Sequence, residues 1–175
     1  MSVRIVLLCE DAATDTFVRR FLRRRQFKAR DIRTLPIPHG SQSGEQWVRQ
    51  KYPSELKAIR SRQNAFLIVV IDADTHTTQA RRSQLDDECR TQKVPVRELK
   101  DPVIIIVPRR NIETWFAYLD GESVDETVAY NAYKSKDPRP FAEALYRMCH
   151  EDQNLRLPVP PSLDESCQEY RKLKR

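Results

Sequence analysis

The feature that most constrains the fold is a set of three short apolar runs, Val3 to Cys9, Phe66 to Ile71 and Val103 to Val107. Each run has the length of a β-strand, and the last two are rich in β-branched residues. Nearly continuous apolar character, in place of alternation, is typical of strands buried on both faces of a parallel sheet. The runs therefore predict three buried strands, of which Phe66 to Ile71 is the clearest central one, and parallel strands require crossover segments between them.

Helical patterns follow the first and third runs. After the first run, four apolar residues recur at helical spacing with arginines between them, and Thr14 or Asp15 is available as the N-cap. After the third run, Asn111 is predicted to cap a helix with one apolar face. The two apolar faces consist of Phe17, Val18, Phe21 and Leu22, and of Ile112, Trp115, Phe116 and Leu119.

The segment between the first two runs is less regular. Asp31 to Pro38 alternates apolar and polar residues and carries two prolines, which favours an edge strand, and His39 to Gly44 is predicted to be a polar loop. Glu45 to Arg60 has a loose helical pattern that Pro53 is expected to break or restart. Beyond the second run, Thr78 to Gln92 predicts a charged, exposed helix.

Strand and helix patterns alternate from residue 3 to about residue 119, which predicts a Rossmann-like α/β fold with a mainly parallel central sheet flanked by helices. Residues 1–120 are assigned to this domain, and residues 121–175 to a helical C-terminal extension. In the extension, Phe141 to His150 and Leu163 to Leu173 predict helices joined by a proline-rich connection. The extension is expected either to belong to the same compact unit or to dock on a partner, for example in a homodimer.

The charge balance favours polyanionic partners without proving one. The chain has 31 Lys and Arg against 25 Asp and Glu, a net charge of +6. Arg20 and Arg24, in an arginine-rich stretch, are candidates for contacts with a phosphate backbone, although a solvated helix face is the default interpretation. Arg109 and Arg110 follow the third apolar run, where they are placed either to neutralise phosphate charge or to lie in a solvated loop.

The cysteines form no Cys-x-x-Cys pair and no Cys/His zinc spacing, so neither a zinc site nor a disulfide framework is expected. All are predicted to be buried or free thiols. They are Cys9, Cys89, Cys149 and Cys167. The first apolar run is shorter than the core of a signal peptide, and no later run approaches the length of a membrane span, so we expect a cytoplasmic protein without membrane contact.

Carboxylates follow all three apolar runs. Glu10 comes directly after the first run, Asp72 and Asp74 follow the second, and Glu113 comes shortly after the third. The carboxyl ends of parallel strands meet at one edge of the sheet, where ligands bind. Four carboxylates at that edge would repel one another unless a cation or bound protons neutralised them. Each residue alone is readily explained as a helix cap or a solvated loop end, so their joint placement carries the prediction.

The spacing of Asp72 and Asp74 favours a shared ion. In an extended chain the side chains at positions i and i+2 point the same way, so this pair could grip one cation while Glu10 approaches from the adjacent strand. An all-oxygen set of ligands suits Mg²⁺ or Mn²⁺ better than zinc. The sequence therefore predicts a magnesium or manganese site.

Three segments together resemble the TOPRIM domain, a module for nucleotidyl transfer and hydrolysis that occurs in topoisomerases, primases and several nucleases. The segments are Val6 to Glu10, Val69 to Asp74 and Pro108 to Phe116. The last one is similar to a segment of stand-alone TOPRIM proteins of the RloB and OLD-like kind, which are associated with bacterial phage defence. The resemblance covers roughly residues 3 to 119, and Asp11 stands where the family usually has glycine.

The resemblance implies roles for five acidic residues. Glu10 would be a general acid/base or a metal ligand, Asp72 and Asp74 would be metal ligands, and Asp15 or Glu113 would serve a second ion. It further implies a metal-dependent nuclease that hydrolyses phosphodiester bonds of DNA or RNA, tRNA included, in anti-phage defence. An ATPase or sensor protein would fit as its partner.

Two other interpretations stay open. A non-catalytic nucleic-acid-binding or effector subunit of a defence complex would use the arginines without any turnover. A receiver-like signalling domain is suggested because Glu10, Asp11 and Asp72 imitate the acidic pocket of receivers. Receivers also need a small hydroxyl residue and a lysine after a later strand, and Val107, Pro108 and Arg109 stand near that place instead.

Overall fold

A computed structural model describes residues 3–37 and 43–173. The strands are β1 (Arg4–Cys9), β2 (Ile32–Thr34), β3 (Ala65–Val70) and β4 (Val103–Ile106). The α-helices are α1 (Ala12–Arg24), α2 (Gly44–Arg60), α3 (Thr78–Thr91), α4 (Ile112–Leu119), α5 (Arg139–Tyr146) and α6 (Pro161–Arg171). A π-helical turn, Arg147–Glu151, continues α5. The predicted loop from His39 to Gly44 lies outside the described residues except for its last two positions.

The four strands form one parallel sheet in the order β2-β1-β3-β4. In the register, Cys9 lies opposite Val70, and Val70 lies opposite Ile106, so the three long strands end almost level. The predicted parallel α/β sheet is confirmed, and the three apolar runs form buried strands, of which β1 and β3 are central and β4 lies at an edge. The predicted edge strand is present at one side of the sheet, but it is shorter than expected and stops at Thr34, before the first of the two prolines.

Helices cover both faces of the sheet, because successive residues of a strand point to opposite faces. Ile5 and Leu7 belong to a core formed with α1, α4, α5 and α6. Val6 and Leu8 belong to a second core formed with α2 and α3. This arrangement explains why the strands have apolar residues at consecutive positions: each strand supplies two cores at once.

The C-terminal segment shares the first core with the sheet. Phe141 of α5 stacks on Phe116 of α4 at 4.7 Å between ring centroids, and Tyr170 of α6 packs on Phe21 of α1 at 4.5 Å. Both residues of the segment are buried in the same cluster as β1. Residues 139–173 are therefore an integral layer of the compact unit.

No described helix is long and apolar enough to cross a membrane.

The start of α1 and the interior of α2 differ from the prediction. The N-cap of α1 is Asp11, whose carboxylate accepts a hydrogen bond from Thr14 N at 2.8 Å, so neither Thr14 nor Asp15 caps this helix. Asp is among the preferred N-cap residues, and the cap lies one turn earlier than the apolar pattern indicated. Helix α2 runs through Pro53 without interruption. The burial of Tyr52, Leu56 and other residues on its inner face offsets the hydrogen bond that proline removes.

The prediction that all cysteines are unpaired is wrong for one pair. Cys149 and Cys167 form a disulfide between the π-helical turn and α6, with Cα atoms 5.6 Å apart. The 18-residue separation carries no recognisable spacing, because the pairing depends on how α6 folds back on the end of α5. Cys9 and Cys89 are buried free thiols, as predicted.

One buried hydroxyl joins α6 to the end of β4. Ser162 Oγ accepts hydrogen bonds from Trp115 Nε1 at 2.9 Å and from the backbone N–H of Arg109 at 3.0 Å. The same hydroxyl donates its proton to the carboxylate of Glu126. All hydrogen-bonding capacity of Ser162 is thus used, and the contact fixes the loop that follows β4.

Replacing this hydroxyl should therefore destabilise the protein. Ser162→Ala leaves the buried Trp115 N–H and the Arg109 N–H without their acceptor, and we expect the free energy of unfolding to fall by about 1–3 kcal/mol. The matched control is Ser54→Ala, since the Ser54 hydroxyl bonds the Lys51 carbonyl at an exposed site. Urea unfolding should place the control within about 0.5 kcal/mol of the native chain. Equal stabilities of the two variants would contradict the role of Ser162.

Candidate active site

The predicted acidic residues lie where the strand order reverses. From β1 the chain proceeds outward to β2 on one side, and β3 then lies on the other side of β1. In open α/β sheets, ligands bind at such a point, beyond the carboxyl ends of the strands. Glu10 follows β1 and Asp72 follows β3, so both flank this crevice.

Glu10 and Asp72 are in direct contact. The backbone N–H of Asp72 donates a hydrogen bond to Glu10 Oε1 at 2.5 Å. Because Cys9 and Val70 are register partners, the two acidic residues leave their strands side by side. The contact orients the Glu10 carboxylate across the end of β3, next to the Asp72 side chain.

The segments that follow β3 and β4 stay paired beyond the strands. Backbone hydrogen bonds run from Ile71 N to Ile106 O at 3.1 Å, from Ala73 N to Pro108 O at 2.9 Å and from Asp74 N to Arg110 O at 2.8 Å. These bonds continue the ladder to the rim of the crevice and hold the backbone of the acidic segment in place.

The expected extended Asp-x-Asp geometry is wrong. Asp74 has φ 53° and Arg110 has φ 66°, so both residues lie in the left-handed region. Asp74 therefore turns away from an extended path, and its side chain does not follow that of Asp72. The Asp74 carboxylate instead pairs with Arg81 of α3, at 2.9 Å from Asp74 Oδ2 to Arg81 Nη2.

Burial, followed by repulsion from neighbouring carboxylates, raises the pKa values of the central carboxyls. Burial is the largest cause for Glu10, with the charges of Asp74 and Asp11 next, and together they raise its pKa to about 8 against the opposing Asp72 N–H bond and Arg81. The pKa of Asp72 is raised well above its ordinary value by burial, then by Glu10 and Glu113. The crevice therefore resists carrying its full negative charge.

Glu113 joins this group from α4. It lies in the first turn of that helix and is partly buried, and burial followed by the charge of Asp11 raises its pKa. Its charge in turn acts on Asp72. Asn111 occupies the N-cap position as predicted, although its side chain accepts no bond from the backbone of the helix. The structure thus brings four predicted residues to one crevice, namely Glu10, Asp72, Asp74 and Glu113.

A buried arginine that the sequence patterns did not predict completes the site. Arg81 is 2% exposed in a helix that was predicted to be exposed, and it pairs with both Asp74 and Glu45. Its Nε has no hydrogen-bond partner among the described residues. Arg81, Leu85 and Cys89 recur at four-residue spacing and are the buried residues of α3, so this stripe was the signal that could have identified Arg81.

The start of α2 packs directly on the backbone of Glu10. A Cβ atom on Gly44 would lie 2.4 Å from the Glu10 carbonyl oxygen and 2.9 Å from its Cβ, so only glycine fits there. The preceding Ser43 caps α2 by accepting a bond from Gln46 N. Because glycine lets α2 begin against the backbone of Glu10, Glu45 in the first turn of α2 can reach Arg81.

Three predicted residues have partners elsewhere. The carboxylate of Asp15 accepts hydrogen bonds from Arg19 Nε at 3.0 and 3.1 Å and from the Thr34 hydroxyl, on the β2 side of the crevice. Arg20 and Arg24 both pair with Glu143 of α5. They lie in the later turns of α1, roughly 12 Å or more along the helix from its start at the crevice. Their roles as a metal ligand and as phosphate contacts stay predictions.

Arg109 and Arg110 lie at the rim of the crevice, in the loop after β4. Their backbones are fixed by Ser162 and Asp74. Neither side chain forms an ion pair within residues 3–37 and 43–173, in contrast with Arg20, Arg24 and Arg81. Arg109 nevertheless lies close enough to Asp125 and Glu126 for its charge to act on their pKa values, so Arg110 is the less compensated of the two guanidinium groups at this rim.

The donor set fits a divalent cation by its chemistry. No three His, Cys, Asp or Glu side chains of the described residues are already arranged to hold one ion. Glu10 and Asp72 nevertheless supply adjacent carboxylate oxygens, which Mg²⁺ and Mn²⁺ prefer. Burial raises both pKa values most, and a cation would stabilise the charged forms that burial and the neighbouring carboxylates disfavour. Asp74 could bind the same ion only if its ion pair with Arg81 were broken or shared.

Comparisons of the chain with protein-family models, with curated proteins and with solved structures find no match.

The raised pKa of Glu10 predicts a pH dependence of stability in the absence of metal. Its carboxyl binds a proton more tightly in the folded than in the unfolded chain, so the folded state loses stability as pH rises from 4.5, the ordinary value, to about 8. Glu10→Gln keeps an oxygen acceptor for Asp72 N–H but cannot ionise. In urea unfolding with EDTA, the variant should gain stability relative to the native chain between pH 5 and 8.

The difference between the unfolding free energies of the native chain and of Glu10→Gln removes the contributions of all other titrating groups. The exposed Glu151 provides the matched control, because Glu151→Gln makes the same chemical change away from the crevice. A Glu10→Gln profile parallel to that of the native chain would show that Glu10 ionises at its ordinary pKa.

Proposed function

We propose that this chain is a Mg²⁺- or Mn²⁺-dependent nuclease that hydrolyses phosphodiester bonds of DNA or RNA, with Glu10 and Asp72 at its centre. The observation that carries the proposal is the contact between these two residues at the crevice where the strand order reverses. Both carboxyls have raised pKa values there, and Glu113 and Asp74 add their charges. Such a group of carboxyls is typical of a catalytic site more than of a structural one.

Each residue has a role that follows from its position. A bound divalent ion would polarise the phosphoryl group and lower the pKa of a water molecule. Asp72 and Glu10 are the residues that would hold it. Glu10 lies beside Asp72 and is therefore also the candidate general acid or base at this site.

The surrounding basic residues fit a phosphodiester substrate. Arg109 and Arg110 have no ion-pair partner among the described residues and lie at the rim beyond β4. We expect a phosphate bound at the crevice to draw on these two arginines from the rim, because guanidinium groups can neutralise its charge. Arg81 has a different task, because its pairs with Asp74 and Glu45 hold the acidic wall of the crevice in position.

The resemblance to TOPRIM proteins supports the same proposal. Its two acidic motifs, at Glu10 and at Asp72 with Asp74, come from separate parts of the sequence and flank one crevice. The proposed role in anti-phage defence and the proposed ATPase or sensor partner depend on this resemblance alone.

A non-catalytic nucleic-acid-binding subunit is the second candidate. It is favoured by the ion pair between Asp74 and Arg81, which already neutralises one expected metal ligand. A receiver-like domain has less support, since the described sheet contains four strands and Pro108 follows β4 where a hydroxyl residue would be needed. Turnover separates the first two candidates.

The nuclease proposal predicts metal-dependent cleavage that requires both central carboxylates. Plasmid DNA, single-stranded DNA and total tRNA are incubated with Mg²⁺ or Mn²⁺, and the products are separated by electrophoresis. Glu10→Gln and Asp72→Asn should each lower the rate about 100-fold or more, as expected when a general base or a ligand of the reactive centre is removed.

The matched controls are Glu151→Gln and Asp152→Asn, which make the same chemical changes at exposed positions. Both should cleave at the native rate, and EDTA should stop cleavage by every variant. Cleavage that persists in EDTA, or that survives both central substitutions, would contradict the proposal. Nucleic-acid binding without turnover would favour the non-catalytic subunit.

A further inference from the structure

A second basic site lies at the opposite end of the sheet from the carboxylates. A cavity of about 540 Å³ opens at the amino ends of β1, β2 and β3. Its floor is formed by the strand residues Ile5, Val6 and Ala65. Its polar lining consists of Arg4, Arg30, Asp31, Arg33, Arg62 and Gln63.

The fold itself brings the four arginines together. Arg4 opens β1, Arg62 lies in the turn before β3, and Arg30 and Arg33 flank the start of β2. Parallel strands place all their amino ends at one edge, so residues that are far apart in sequence meet there. All four arginines are exposed, and the strand residues between them are buried.

The positive charge of this cavity is largely uncompensated. None of its four arginines forms an ion pair or a side-chain hydrogen bond in the part of the chain that the structure describes, and Asp31 is the only acid in the lining. Other arginines of the chain are neutralised, as Arg60 is by Asp101 and Arg97 by Glu169. Four converging guanidinium groups without partners are arranged to attract an anion.

A neighbouring hollow shows the difference. It lies beside β2 and α1 and is also lined by arginines, but Arg19 pairs with Asp15, Arg20 with Glu143 and Arg139 with Asp137. Three of its four guanidinium groups are already paired, Arg23 being the exception, whereas none of the four in the four-arginine cavity forms an ion pair among the described residues. An anion should therefore prefer the four-arginine cavity.

We propose that the four-arginine cavity binds phosphate groups of the nucleic-acid strand whose cleavage is proposed above. The planar guanidinium group matches phosphate oxygens in pairs, which suits arginine to this contact. Taking a strand as the ligand rests on the proposed function, whereas the preference for phosphate rests on the cavity alone.

The distance between the two sites sets the length of strand required. A six-residue strand spans about 17–20 Å, so the cavity lies roughly 20 Å from the carboxylates. At the duplex spacing of about 3.4 Å per nucleotide, roughly six nucleotides separate the two sites. The strand would pass along β2, the edge of the sheet, and shorter fragments would reach one site at a time.

The test compares two pairs of arginines that remove equal charge. Arg33→Ala/Arg62→Ala removes two arginines of the cavity, and Arg147→Ala/Arg171→Ala removes two exposed arginines outside it. Binding of a fluorescent 15-nucleotide single strand is followed by anisotropy in EDTA, at several salt concentrations. The cavity variant should bind about 10-fold more weakly or worse, and its salt slope should fall by about 1.4, or 0.7 for each lost phosphate contact.

Two further probes separate the possible outcomes. A four-nucleotide strand reaches one site at a time, and since the carboxylates repel it in EDTA it should occupy the cavity, so the cavity variant should bind it more weakly as well. Hydrolysis of bis(p-nitrophenyl) phosphate, which is too small to span both sites, should be equal in the native chain and in the cavity variant. If the native chain fails to hydrolyse this compound while the binding result holds, the proposed function fails and the phosphate site stands.

Equal strand affinities for the two double variants would overturn the proposal. The proposal would also be overturned if the cavity bound inorganic pyrophosphate and Arg33→Ala/Arg62→Ala weakened that binding but left strand binding unchanged. That second result would identify a site for small phosphorylated molecules. Circular dichroism spectra and unfolding curves of both variants confirm that any loss of binding is not a loss of fold.

Discussion

The rest of the site depends on the contact between the backbone of Asp72 and the carboxylate of Glu10. It forms because β1 and β3 are neighbours in register and both end at the point where the strand order reverses. The contact places the two carboxyls side by side at the end of the sheet, where burial is the largest cause that raises both pKa values. The charge of Glu10 raises the pKa of Asp72 further, whereas the Asp72 N–H bond partly opposes the rise for Glu10. Glycine at position 44 and the buried Arg81 then allow α2 and α3 to close around that pair.

Charge is divided between the two ends of the sheet. The carboxyl ends of the strands carry Glu10, Asp72 and Glu113, and the amino ends carry the four-arginine cavity. A polyanion alone would be repelled by the first end and attracted to the second. In the account proposed here, arginines away from the reactive centre supply much of the affinity, and the carboxylates, once a cation neutralises them, supply the chemistry.

The sequence predicted the fold where local pattern and environment agree. Strands buried on both faces leave continuous apolar runs, so β1, β3, β4 and the convergence of Glu10 with Asp72 could be anticipated. Three features depend on tertiary contacts that no local pattern reveals: the turn at Asp74 toward Arg81, the unbroken helix through Pro53, and the disulfide of Cys149 with Cys167. Arg81 was missed because a charged residue on an otherwise polar helix gives no sign of burial beyond its four-residue spacing from Leu85.

The central claim is that Glu10 and Asp72 together hold a divalent cation, and calorimetric titration with Mn²⁺ tests it most directly. The titration is performed at pH 7 in two buffers of different ionisation enthalpy, with the native chain and with Asp72→Asn. We expect one or more ions to bind with release of protons, because Glu10 has a pKa of about 8 and must lose its proton to act as a ligand. Binding should be weakened at least about 10-fold by the substitution, as expected when a metal ligand is lost. No binding to the native chain, or equal binding to Asp72→Asn, would contradict the claim.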